Sequence, residues 1–169
     1  MTEPLPPLVD VLAEVAYESD IARLRLEAAM GAVRDYCGWH ISPVITQTFV
    51  LDGSGGRELP LPTLQLVNLV SASNDGVDVD PEWSTDGTLR ICGRWTERFR
   101  GVQVVAEHGF ASLPALSALV LDVAERATLG GSGLREKVGP FEFGGTDSSA
   151  AFFASELGIL NRYRLPNLP

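Results

Sequence analysis

Lysine is nearly missing from this chain: it occurs once, at Lys137, against twelve arginines. The bases total 13 and the acids 22, for a formal net charge of −9. Tight binding to nucleic acid rests on clustered cations that neutralise phosphates, so this balance argues against it. Cysteine is also scarce. Two of them, Cys37 and Cys92, cannot build a disulfide framework. Histidine occurs only at His40 and His108, which leaves little for acid–base or metal chemistry. No apolar run approaches the length needed to span a bilayer. The opening Met1-Thr2-Glu3-Pro4 is acidic and broken by proline, the opposite of a secretory signal's basic start. The expectation is a chain that folds in a reducing cytoplasm.

What is present is ordinary globular composition, with 45% hydrophobic and 21% charged residues, enough for one domain with a real core. The organising stretch is a helix over residues 19–38. Ile21, Leu24, Ala28, Ala32 and Tyr36 recur at helical spacing on one face, and Leu26, Ala29, Met30, Val33 and Cys37 widen it. Ser19 or Asp20 supplies an N-cap, and Gly38 is a natural stop. A shorter helix over residues 7–17 precedes it. From Val44 the period changes to two. Val44–Leu51, Glu58–Leu61, Leu64–Ala72, Thr88–Cys92 and the alternating Val102, Val104 and Ala106 read as strands. Leu64–Ala72 is apolar on both faces and reads as the best-buried of them, while Pro60 and Pro62 place Glu58–Leu61 at an edge. Asn74-Asp75-Gly76 is a strong hairpin turn. Residues 113–129 form a second long helix, with Pro114 in its first turn.

Gly130-Gly131-Ser132-Gly133 then makes a joint, followed by an extended segment at Lys137–Phe143 and a final helix at Ser155–Arg164. The predicted class is mostly α with an inserted small antiparallel β unit (α+β): a core over residues 1–133, with the β insertion at 44–108, and a C-terminal arm over 134–169. That arm carries Phe141, Phe143, Phe152, Phe153, Leu157, Leu160, Tyr163 and Arg164, more apolar surface than an arm can hide alone, and so reads as a docking arm.

Candidate chemistry is thin. Cys37, His40, Cys92 and His108 could in principle make a zinc site, and Cys37 and His40 have a plausible spacing, but no second closely spaced pair completes it. Core thiols and imidazoles at element ends are the simpler reading. The acidic run Asp75, Asp78, Asp80, Glu82 and Asp86 fails as a calcium loop, because Trp83 and Leu89 stand where glycine and a bidentate glutamate are needed. It reads as a solvated patch. Arg94, Trp95, Arg98 and Arg100 interleave cations with aromatics, either as a surface that meets DNA or a neighbouring subunit, or as a loop with Trp95 folded inward. Neither glycine-rich segment fits a phosphate cradle, and no nucleophile motif is present.

Taken in order, the segments resemble a known family. They are Glu27-Ala-Ala-Met-Gly-Ala-Val-Arg-Asp-Tyr-Cys-Gly-Trp39, Arg57-Glu-Leu-Pro-Leu-Pro62, Val102-Gln-Val-Val-Ala-Glu-His-Gly-Phe110 with Leu113-Pro114, and the tail blocks Arg135-Glu-Lys-Val-Gly-Pro-Phe141 and Ser155-Glu-Leu-Gly-Ile-Leu-Asn-Arg-Tyr-Arg164. Together they resemble the head-to-tail connector (adaptor) proteins of tailed bacteriophages, with Ala106 departing where that family often has tyrosine. The resemblance implies a virion neck protein, assembled in the host cytoplasm as a ring of twelve on the portal. Such a ring extends the DNA channel, lets DNA pass without specific binding, and presents a surface to the next neck or tail protein. It implies no catalysis, cofactor, metal or membrane. The rival readings are another neck component, such as a stopper or tail terminator, and a small metal protein built on the cysteines and histidines.

Overall fold

The structure is a computed structural model that describes Leu8, residues 20–129, 137–138, 141–142 and 152–166. The expected helix at 7–17 therefore lies outside the described residues, apart from Leu8, which is buried in the helical core. Helix α1 runs Asp20–Cys37 and ends where Gly38 takes a left-handed φ of 80° and returns its N–H to the Arg34 carbonyl. Its buried face is Leu26, Ala29, Met30, Val33 and Cys37. This reverses the expected emphasis, because Leu24 on the other row is 66% exposed. Both rows are apolar at helical spacing, and only packing chooses between them.

Seven strands follow or interleave: β1 Ile45–Leu51, β2 Glu58–Pro60, β3 Leu66–Asn74, β4 Val77–Val79, β5 Glu82–Trp83, β6 Thr88–Arg90 and β7 Val102–His108. Helix α2 is Pro114–Leu129, with proline at its first position; β8 is Lys137–Val138, β9 Phe141–Glu142, and α3 Ala154–Leu160. The class is thus α+β rather than mostly α. The β segment is no small insertion. It forms an antiparallel sheet in the order β1-β7-β3-β4 and a second in the order β2-β6-β5. The two share a core of their own, made by Phe49, Leu66, Val102, Val104 and Ala106 from one and Leu59 and Leu89 from the other.

The strand details follow from pairing that is not local. β7 lies at the centre of its sheet, between β1 and β3, and its inward residues Val102, Val104 and Ala106 are fully buried. β3 was expected to be the best buried. Instead it bulges twice against β7, and Val67 and Val70 turn outward there. β2 is at an edge, as its prolines predict, but it pairs with β6. The Asn74-Asp75-Gly76 turn links β3 to β4, with φ of 51° and 79° at its two central residues, as a type I′ hairpin requires. β4 and β5 lie inside the acidic stretch, where two- and three-residue strands leave no periodicity to read. Their outward acids, Asp78 and Glu82, remain solvated.

The helical layer has a separate core in which Val33, Leu116, Val120 and Leu160 are all but inaccessible. Leu160 comes from α3, so the last helix packs on α1 and α2 of its own chain. Helix α3 is held further by Glu156. Its carboxylate takes two hydrogen bonds from Arg126 of α2, at 2.6 and 3.0 Å, and one from the Phe153 N–H at 2.7 Å. Burial works against the Glu156 charge, but these hydrogen bonds and the Arg126 cation outweigh it and hold the carboxyl below its ordinary range. Replacing Leu160 with alanine removes a fully buried side chain from this core and is expected to cost about 2–5 kcal/mol of stability. Urea unfolding checks this, and a loss below about 1 kcal/mol would show that α3 is not part of the cooperative fold.

Candidate functional site

The two cores meet at the turn that leaves α1. Trp39, His40, Ile41 and Ser42 are all buried, and they reach the end of β7. Ile41 carries a φ of 70° and is fully buried. A β-branched residue in that region costs roughly 1–2 kcal/mol. Burial of its side chain, roughly 1.5–3 kcal/mol, offsets the strain, and its carbonyl accepts the Phe110 N–H at 2.8 Å. Gly109 has a φ of 111°, and a Cβ there would fall 2.5 Å from the Pro43 carbonyl oxygen and 2.7 Å from His40 Nε2. Only glycine lets the two chain segments come this close.

His108 is the hub. Its Nε2 lies 2.9 Å from Gln47 Oε1 and its Nδ1 lies 3.3 Å from Thr63 Oγ1. With Gln47 accepting, the neutral ring carries its proton on Nε2, and Nδ1 accepts from the threonine hydroxyl. Thr63 Oγ1 accepts in turn from the Gln65 N–H. Around the ring stand Phe49 at 5.0 Å, His40 at 5.2 Å and Trp39 at 6.2 Å between centroids. Burial, and secondarily the neighbouring His40, push the His108 pKa down to about 4. His40 is lowered as well, by burial and by the Arg34 guanidinium. Neither ring nitrogen of His40 makes a hydrogen bond of good geometry; the carbonyls of Pro43 and His108 are the weak polar neighbours. A cleft of about 440 Å³ opens beside the pair, lined by Arg34, Asp35, Trp39, His40, Gln47 and Phe49.

The proposed zinc set is not assembled. His40 and His108 come together, but the Cys37 thiol faces the Leu160 carbonyl at 3.7 Å, and burial raises its pKa to about 11. Cys92 is exposed beside Arg57 and Arg94, in the loop after β6. Among the described residues no three histidine, cysteine or carboxylate side chains converge on one point. Thr63, the hydroxyl nearest the imidazoles, is already committed on both sides. The arrangement joins the two layers.

The arginine loop is pinned, with its aromatics divided. Trp95 is buried in the sheet core, and its backbone N–H donates to the Gly56 carbonyl at 2.8 Å. Asn74 clamps the loop from both sides, donating to the Arg94 carbonyl and accepting the Thr96 N–H. Arg98 pairs with Asp75 at 3.6 Å, and the Arg100 N–H donates to Asp52. Phe99 at the tip is 86% exposed. Three acids, Asp52, Asp75 and Glu97, stand among the arginines, so the tip is far from a purely basic patch.

The residues read as a docking arm separate into two groups. Leu160 is core; Phe152 and Tyr163 pack against it, Phe152 edge-on to Tyr36 and Tyr163 edge-on to Phe110. The segment after α3 is tied to the end of α1: Trp39 Nε1 donates to the Tyr163 carbonyl at 2.7 Å, and the Leu165 N–H to the Cys37 carbonyl at 2.9 Å. Leu157 is half-buried. Phe153 remains 57% exposed beneath the Arg126 guanidinium, and Arg164 lies exposed over Tyr36. Phe141 belongs to β9 by its backbone, and Phe143 lies outside the described residues. Arg126 is a functional contact that the sequence does not announce. Its partner lies in a helix beyond the glycine joint, and the sequence holds no local sign of the pairing.

With this architecture established, solved structures can be compared. The fold matches a chain in the neck of a native gene transfer agent particle computed with C12 symmetry, at 14% identity and a TM-score of 0.64, over 99% of this chain and 95% of that one. The two chains share one fold. A chain in the neck of the empty particle, computed with C6 symmetry, matches at 15% identity and a TM-score of 0.56, over 99% and 95%. A chain of the native virion of such a particle matches at 14% and 0.55, over 93% and 83%. At the sequence level no family model and no curated protein matches. No helix among the described residues is long and apolar enough to cross a membrane.

The depressed His108 pKa predicts how stability depends on pH. An ordinary histidine titrates near 6.5 and the folded one near 4, so the unfolded chain takes up its proton first as pH falls. Stability is full above about pH 6.5, declines by up to about 1.4 kcal/mol per pH unit down to about pH 4, and His108 contributes no further loss below that. Urea midpoints between pH 7 and 5 check this. The His108→Gln variant should have a markedly shallower slope, and an equal slope would contradict the assignment.

Proposed function

We propose that this chain is a structural component of the neck of a phage-like particle, where it acts as a head-to-tail connector. Copies assemble as a ring on the portal, continue its DNA channel and offer a surface to the next neck or tail protein. The observation that carries this reading is the fold likeness to a neck chain over almost the whole of both molecules. The symmetric reconstructions in which those chains occur support a ring. The formal charge of −9 suits a conduit, because a basic lumen would retain the genome it must release. The protein would reside in the finished virion.

Within this reading the arm has two parts. Leu160, Phe152 and Tyr163 close the chain's own core. Phe153, with the arginine above it, and Arg164 are left to meet a partner. An exposed phenylalanine under a guanidinium, backed by a rigid helix, has the chemistry of an interface anchor.

A stop codon early in the gene tests the connector role. Electron microscopy of the lysate is expected to show separate heads and finished tails, and normal joined virions would contradict the role. Phe153→Asp tests the anchor. The side chain is largely exposed, so the variant should unfold within about 0.5 kcal/mol of the parent yet join heads to tails at least tenfold less often. Joining at the parental level would remove Phe153 from the contact.

A further inference from the structure

Among the described residues neither edge strand of the four-stranded sheet has a second partner, and the two edges differ. β1, at one side, is seven residues long, Ile-Thr-Gln-Thr-Phe-Val-Leu, with no charge, proline or glycine. It pairs only with β7, so alternate backbone N–H and C=O groups point away from the sheet. Among the described residues no hydrogen bond reaches that outer row. Its inward residues Ile45, Gln47 and Leu51 are only half-buried, with no described strand beyond them, and Val50 is 46% exposed. Edge strands are usually blunted by charge, proline, bulges or shortness; β1 has none of these. β4, at the other side, is guarded. It is three residues long, carries Asp78 at its centre, and leaves Val77 66% exposed.

We propose that β1 of one copy pairs with β4 of the next, so that the sheets of neighbouring copies join around the ring. The inference rests on the ring reading above. Three observations favour this occupant. With the order β1-β7-β3-β4 and every pairing antiparallel, β1 and β4 run in opposite directions. A rotation about an axis along the strands therefore sets β1 beside the next β4 with the antiparallel alternation unbroken. Pairing two different edges is heterologous, the kind of contact that closes into a ring, whereas β1 against β1 would stop at a dimer. Finally, Asp78 repels a second β4 but meets no like charge on β1, so the guard on one edge and the bare state of the other select the mixed pair.

The test is cross-linking within assembled particles. In a Cys92→Ser background, which leaves only the buried Cys37 among the native thiols, Thr48→Cys and Asp78→Cys are introduced at the centres of the two strands, singly and together. A short bismaleimide is then added. The double variant is expected to give a ladder of covalent multimers and each single variant none. Dimers from Thr48→Cys alone would overturn the proposal in favour of a two-fold β1 contact. Absence of multimers in particles that contain the chain would overturn the edge pairing and leave the neck reading standing. Particles that lack the chain altogether would overturn both.

Discussion

The His108 imidazole holds the helical layer and the sheet together at one buried point. It stands at the end of the central strand, pinned by Gln47 from the neighbouring strand and by Thr63 from the loop before β3. Trp39 and His40 cover it from the end of α1. Through that cluster the helical core and the sheet core meet, Trp39 belonging to the first and Phe49 to the second. The neutral ring costs little to bury because both nitrogens have partners. The same burial makes the joint sensitive to acid. Gly109 and the strained Ile41 are local consequences: the chain must pass within van der Waals distance of the imidazoles, and backbone freedom at one position and side-chain burial at the other make that passage affordable.

The C-terminal segment belongs to this same joint. Trp39 bonds to the Tyr163 carbonyl, and the carbonyl at the end of α1 is satisfied by Leu165. α3 therefore does not hang from the core. It closes the helical layer, with Leu160 as the plug and the Arg126–Glu156 pair as the clasp. That division leaves a small, rigid set of exposed groups, chiefly Phe153 and Arg164, on a surface fixed in advance. A surface of this kind binds without the entropic cost of ordering a free arm.

Local signals in the sequence were legible and non-local ones were not. Gly38 as a stop, Asn74-Asp75-Gly76 as a hairpin, Pro114 as a start and the alternation from Val102 all act within a few residues, and each appears in the fold. The core face of α1 was not legible, because Leu24, Ala28 and Ala32 compete with Leu26, Met30 and Val33 at the same period. β4 and β5 were invisible as strands of two or three residues among acids. The histidine pair, the Arg126 clasp and the pairing of β2 with β6 all join residues far apart in sequence, and no spacing rule reaches that far. The order of segments, with its resemblance to connector proteins, carried more than any single motif did.

A head-to-tail connector requires many copies of this chain together where head meets tail. An epitope inserted at Gly93, an exposed position where an added side chain meets nothing within 4 Å, would mark each copy on the intact particle without entering either core. Immunogold labelling of virions is predicted to cluster at the head–tail junction and, after disruption, to follow the neck. Gold spread over the capsid shell, along the tail tube, or absent from the virion would contradict the connector role.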